Sequence, residues 1–195
     1  MKLSSLSCLL SLLLIVSGCT SSGQPATKPS AKPAVNVDPA QATAEITKLG
    51  GKITVDDKAP GQPVVGVNLS GAAVSDQTLA ILAAFPQLQA LDIGRTSKQT
   101  QATFTDAGLA QLKSLPNLQR LSLGGTDITD VGLANLKGLK HLQHLNLERT
   151  KVTDASLAAL IGFSELNRVK LKGTAITDAG VAKLQSGLPN CRVER

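Results

Sequence analysis

The chain has 195 residues, 42% hydrophobic and 17% charged, with a formal net charge of +6. That length leaves room for one main domain, and the aromatic content of 2%, with neither Trp nor Tyr, argues against stacking on bases or sugars. Of the three cysteines, Cys8 and Cys19 stand near the N-terminus and only Cys191 is left for the domain, so no disulfide is expected there and apolar burial has to supply stability.

Lys2 precedes an apolar run, Leu9 to Val16 broken by Ser11, and small residues Ser17 and Gly18 lead to Cys19. A membrane-spanning helix needs about 20 apolar residues, so 1–18 reads as a signal peptide. Val16-Ser17-Gly18-Cys19 resembles the lipobox of bacterial lipoproteins. The resemblance implies cleavage before Cys19 and lipidation of its thiol. It also implies a cell-membrane or outer-membrane anchor with the domain facing the periplasm or the exterior. Thr20, in place of Asp, leans toward the outer membrane. An exported basic chain meets acidic proteins, wall polymers or headgroups rather than nucleic acid. Residues 19–37, rich in Ser, Pro, Ala, Thr and Lys, read as the lipidated Cys and a flexible tether. Fully extended, about 18 residues at roughly 3.3 Å each reach some 60 Å.

Residues 38–63 read as an N-terminal cap. Asp38-Pro39 is a helix start, Ala42, Ile46 and Leu49 form one stripe, and Gly50-Gly51 ends it. Lys52 to Val55 follows as a short strand, then a turn to Pro63.

From Val64 to the end the chain repeats itself. Leu123, Leu147 and Leu171 recur at a spacing of 24, as do Asp130, Asp154 and Asp178. The unit is Leu-x-x-Leu-x-Leu-x-x-Thr-x-Ile-Thr-Asp-x-x-Leu-x-x-Leu, read most plainly from Leu118 to Leu136. Alternate residues of a strand share one side, so Leu-x-Leu buries two side chains and exposes the residue between them. The second repeat carries an insertion at 97–102, Ala72 stands where a Thr is expected in the first, and Leu188 to Val193 supplies a closing strand. Asp130, Asp154 and Asp178 are expected to cap the helices. Thr126, Thr150 and Thr174 are expected to bond backbone at the bend after each strand. A single unit cannot bury its apolar face, so neighbours have to stack.

Thr105-Asp106-Ala107-Gly108-Leu109 and Thr129-Asp130-Val131-Gly132-Leu133 resemble bacterial leucine-rich repeats with Thr-Asp-x-Gly-Leu helix starts, similar to the ribonuclease-inhibitor and cysteine-containing subclass. The resemblance implies an α/β right-handed solenoid over 64–195, with parallel strands on the concave face and real helices on the convex face. It implies binding scaffolds with unrelated partners and names none.

Catalytic chemistry finds no support. His141 and His144, three apart on an extended strand, project to opposite faces with no Cys or carboxylate cluster nearby. Gly50-Gly51-Lys52 lacks the upstream Gly of a phosphate loop, and Cys191 occupies a normally apolar position. No enzyme activity, cofactor or metal is expected. The solvent-facing strand residues are Arg120, His144, Arg168 and Arg192 in one row and Asp92, Ser122, Asn146 and Lys170 in another, with Lys172 just after. Arg120, His144, Arg168, Lys170 and Lys172 make the C-terminal half of the concave face basic. The expected function is a lipid-anchored envelope scaffold that binds a protein partner, an acidic one on this charge pattern, through that face or the 97–102 insertion. The alternative is a structural protein that holds anionic wall polymer or headgroups by charge.

Overall fold

Asp38 accepts a hydrogen bond from the Ala40 amide at 2.9 Å and opens α1 (Pro39–Lys48), whose Ala42 and Ile46 are fully buried. Gly50, at φ +79°, turns the chain out of the helix in a backbone conformation that L side chains resist. The computed structural model describes residues 38–95 and 104–195. Cys19, the tether and the 97–102 insertion lie outside them.

β1 (Lys52–Val55) pairs antiparallel with β2 (Val64–Asn68), with a register shift between Thr54 and Val55. The strands that follow are parallel and three residues long: β3 (Ala90–Asp92), β4 (Arg120–Ser122), β5 (His144–Asn146), β6 (Arg168–Lys170) and β7 (Arg192–Glu194). The seven strands stand in sequence order in one sheet. The cap thus contributes an antiparallel edge strand to a parallel stack. β3 to β6 bury their middle residues, and Val67 of β2, Leu91, Leu121, Leu145 and Val169 are all 3% exposed or less. After β4, β5 and β6 a Thr hydroxyl donates back to a carbonyl: Thr126 to Leu123 at 2.6 Å, Thr150 to Leu147 at 2.7 Å and Thr174 to Leu171 at 2.7 Å. This is the hydroxyl column the repeat implies, and each bond lets a polar side chain stay inside at little cost.

The convex side carries helices as expected, but most are short and partly 3₁₀. It carries α2 (Asp76–Ile81) running into a 3₁₀ turn at Leu82–Ala84, then a 3₁₀ helix at Gly108–Ser114 and α3 (Asp130–Ala134). A 3₁₀ turn at Asp154–Ser156 leads into α4 (Leu157–Ile161), and α5 (Asp178–Gly187) is the last helix. On this side only α5 reaches ten residues. The apolar spacing explains why. Leu109, Leu112, Leu115 and Leu118 recur every third residue and are fully buried, as are Leu133, Leu136, Leu139 and Leu142. A strict spacing of three suits 3.0 residues per turn, not 3.6. In α5 the apolar positions are Val181, Leu184 and Leu188, a step of three and then four, which suits an α-helix.

The helix starts also correct the sequence reading. The capping side chains belong to Thr129, Thr153 and Thr177, which accept from the amides of Val131, Ala155 and Gly180. Each Asp sits one residue further on and reaches the next repeat. The Asp106 carboxylate accepts from the Thr129 amide at 3.0 Å and the Thr129 hydroxyl at 2.5 Å. Asp130 grips Thr153 at 2.8 and 2.7 Å, and Asp154 grips Thr177 at 2.9 and 2.7 Å. Asp76 holds Thr105 in the same way, whereas Asp178 has no following Thr and meets Arg195. The Asp is thus a clasp between repeats and the Thr is the cap. A Cβ at Gly108, Gly132 or Gly180 would collide with Oδ1 of the preceding repeat's Asp, whereas the repeat of α4 places Ser156 there beside an intact Asp130–Thr153 clasp.

Candidate functional site: the concave face

The strand registers line up two rows of solvent-facing side chains. One row is Gly66, Ala90, Arg120, His144, Arg168 and Arg192, and the other is Asn68, Asp92, Ser122, Asn146, Lys170 and Glu194. The first row starts small and ends cationic. Between Ala90 and Lys170 the sheet forms a hollow of about 330 Å³ that holds Arg120, His144, Arg168 and Lys170, with Thr54 of β1 at its far wall. Four of the five expected binding residues therefore meet in one place. Lys172 does not join them. It lines a separate polar hollow of about 470 Å³ at the C-terminal ends of the strands, with Asp92, Arg95, Glu148 and Arg149.

Arg120, His144 and Arg168 stand in register on three adjacent strands. Burial, and after it the guanidiniums of Arg120 and Arg168, hold the His144 pKa below the usual histidine value. The second row makes its own local bonds. Asn68, Asp92 and Asn146 accept from the amides two residues on, at 2.9, 3.0 and 2.9 Å. Their side chains brace the strand ends and are poorly placed to neutralise the cationic row.

The residue that sequence reasoning left out is Glu194. It approaches Arg192 at 3.4 Å, Arg168 at 3.7 Å and Lys170 at 3.8 Å. It was within reach of the repeat, since Glu194 follows Lys170 by one period of 24. It tempers the C-terminal end of the patch and leaves Arg120 and His144 without a nearby carboxylate partner among the described residues. His141 lies in the turn before β5, not on the strand, and pairs with Glu165 at 3.1 Å, so it and His144 do not converge. Cys191 is 6% exposed, and burial raises the pKa of its thiol. Among the described residues no group of three or more His, Cys, Asp or Glu is placed to hold a metal, and no helix is long and apolar enough to cross a membrane.

Residues 116–176 match the leucine rich repeat family model. The fold is a leucine-rich repeat solenoid. Among solved structures, a leucine-rich repeat protein of Leptospira interrogans is similar at 19% identity and a TM-score of 0.43, over 60% of this chain but only 27% of that one. Internalin C2 of Listeria monocytogenes is similar at 21% identity and a TM-score of 0.45, covering 80% of this chain and 82% of its own. The ectodomain of the receptor kinase SOBIR1 from Arabidopsis thaliana gives 12% identity and a TM-score of 0.49, with 80% and 89% covered. Among curated proteins none matches the sequence.

Proposed function

We propose that this protein is a non-catalytic interaction scaffold that holds an acidic protein surface on its concave face. We further propose that Cys19 anchors it by lipid to the cell membrane or outer membrane, with the solenoid facing the periplasm or the exterior. The observation that carries the binding reading is the in-register cationic column Arg120–His144–Arg168. Arg120 and Arg168 flank His144 from both sides, and after burial their charge holds its pKa down, so the site disfavours further positive charge and favours an incoming negative one. The anchor reading rests on Val16-Ser17-Gly18-Cys19 in the sequence.

Reversal of Arg168 and Lys170 to Glu tests the first half. Both side chains point away from the core, so the fold should persist. Capture of an acidic partner from envelope extracts should drop, and what remains should depend less on salt. The matched control reverses Lys137 and Lys140, both exposed between α3 and β5. Equal loss in both pairs would mean diffuse charge attraction, of the kind that retains wall polymer. No loss in either would leave the concave face without this role. Cys19→Ser tests the second half: palmitate label should vanish from the protein, and continued labelling would end the anchor claim.

A further inference from the structure

Resting on the concave-face reading, we propose that the Arg120–His144–Arg168 column seats one face of an acidic α-helix of the partner, and that His144 takes up a proton as the helix docks. The spacing selects a helix. Neighbouring strands lie about 4.8 Å apart, so Arg120 and Arg168 stand roughly 10 Å apart with His144 midway. Helix residues i, i+3 or i+4, and i+7 share a face, step by about 5 Å and span about 10.5 Å in all. An extended peptide presents every second side chain, about 6.6 Å apart, so three of them span about 13 Å and fall out of step with the column. The width agrees. β4, β5 and β6 are three residues each, about 10 Å long, and a helix with its side chains is about 10–12 Å across. Ala90 continues the same row with a single methyl, which leaves a path for the helix beyond Arg120 as far as Thr54, which covers Gly66.

The proton follows from what surrounds His144. Arg120 faces it from β4 and Arg168 from β6, with Lys170 diagonal to it on β6. Asp92 of β3 and Glu194 of β7 are each two strands away, and Glu194 lies against Arg168, Lys170 and Arg192. Among the described residues no ion pair joins a carboxylate to His144. The free site therefore favours neutral imidazole, and its pKa is depressed by burial and then by the two guanidiniums. A glutamate set against His144 reverses the balance, because an opposite charge a few ångströms away favours the protonated ring. Docking then draws in a proton. The complex tightens as pH falls through the histidine range, where glutamates are still ionised.

Two synthetic alanine-rich peptides of equal composition test this by titration calorimetry. One aligns three glutamates at i, i+4 and i+7, and the other spreads them around the helix. The aligned peptide should bind the intact protein about tenfold more tightly, the scale of one well-formed charged contact. It should also bind about three- to tenfold more tightly near pH 5.5 than near pH 7.5, within the range that a tenfold change in one group's proton affinity allows. Heats in two buffers of different ionisation enthalpy should show net proton uptake. His144→Gln should remove the pH difference, and His141→Gln should keep it. Equal binding of the two peptides overturns the helix and leaves the acidic-partner reading standing. Tight aligned binding without proton uptake, or with pH dependence surviving in His144→Gln, overturns the proton coupling. Failure of both peptides at both pH values overturns the acidic-partner reading together with this one.

Discussion

Asp130→Ala should cost about 2 kcal/mol, although Asp130 is partly exposed. The carboxylate holds the Thr153 amide at 2.8 Å and the Thr153 hydroxyl at 2.7 Å. Hydrogen bonds to a charged group contribute about 1.5–3 kcal/mol each, and water replaces part of that at a half-buried site. Two such bonds, discounted for solvent, leave about 2 kcal/mol. The partner variant Thr153→Val keeps the amide bond to Asp130 but loses the hydroxyl half of the clasp and the cap on Ala155, whose amide donates to the Thr153 hydroxyl at 3.2 Å, so a similar cost of about 2 kcal/mol is expected. The double variant should cost less than the two singles together, by about 1 kcal/mol, because the shared hydroxyl bond is lost only once. Urea unfolding followed by circular dichroism is the assay, since the chain has no Trp or Tyr to report by fluorescence. With a slope near 2 kcal/mol/M, the single change moves the midpoint by about 1 M. Asp127→Ala is the control. It removes the same charge from a loop on the same repeat, where Asp127 makes only exposed ion pairs with Arg95 and Lys151, which contribute about 0–1 kcal/mol. If Asp130→Ala costs no more than Asp127→Ala, or if the two clasp variants add without coupling, the inter-repeat clasp is not a stabilising element and the Thr-Asp pair needs another explanation.

Gly132→Ala should destabilise, against the helix propensity that favours Ala by about 1 kcal/mol, because the new Cβ meets Asp106 Oδ1 and lies 2.9 Å from Ile128 Cγ2. In an Asp106→Ala background most of that cost should disappear, and an undiminished cost would assign the clash to Ile128 instead. Leu147→Ala, fully buried between neighbouring repeats, should cost about 2–5 kcal/mol, and a calorimetric scan that shows no lowered transition would mean the stack is not cooperative there. Stability should fall in two steps on acidification. His144 holds its proton less firmly when folded than when unfolded, chiefly through burial and then through Arg120 and Arg168. Its contribution is therefore complete above the unfolded histidine value of about 6.5 and is lost as pH drops below it. Asp127, hydrogen-bonded by Lys151, and Asp154, hydrogen-bonded by the Thr177 side chain and amide, are both depressed. Their contributions are complete above about pH 4 and are lost below it. Urea midpoints across pH should show both steps, and His144→Gln should erase only the upper one.

The architecture was legible because a solenoid repeats its reasons. The 24-residue period set the strand register one repeat at a time, so the pairing of Leu121 with Leu145 and Leu145 with Val169 could be read by counting. The roles of Thr and Asp were harder. Both lie where a helix cap is expected, and only the stacking distance decides that the Thr hydroxyl turns inward to its own helix while the Asp carboxylate reaches the next repeat. Helices cover the convex side as expected, but most are short and one is 3₁₀ throughout, because a Leu at every third position favours a tighter turn after the first. Of the residues expected to bind, Arg120, His144, Arg168 and Lys170 line one hollow, as the period requires. Lys172 fell outside because two residues past the strand the chain has already turned toward the rim.

Function is less legible than fold because the two are written in different positions of the same repeat. The inward positions are mostly Leu, Ile or Val, with Phe85, Phe104, Phe163 and Cys191 among them, and they serve packing in every unit. The outward row changes from Ala90 to Arg120, His144 and Arg168 along strands of the same length and register, whereas Gly66 is kept small by Thr54 above it. A residue that varies where the scaffold is indifferent carries information only if something outside the chain reads it. That is why the cationic column, not the repeat, is the place to look for the partner. It is also why Glu194 is the natural lever. Glu194→Gln removes the nearby acid from Arg168, Lys170 and Arg192 while leaving every core contact in place. If the column binds an acidic helix, that change should tighten the complex about two- to fivefold at low salt, and the gain should shrink as salt rises toward a Debye length of about 8 Å. A variant that binds less well would mean that Glu194 itself contacts the partner, and the charge on this face would have to be read in the opposite sense.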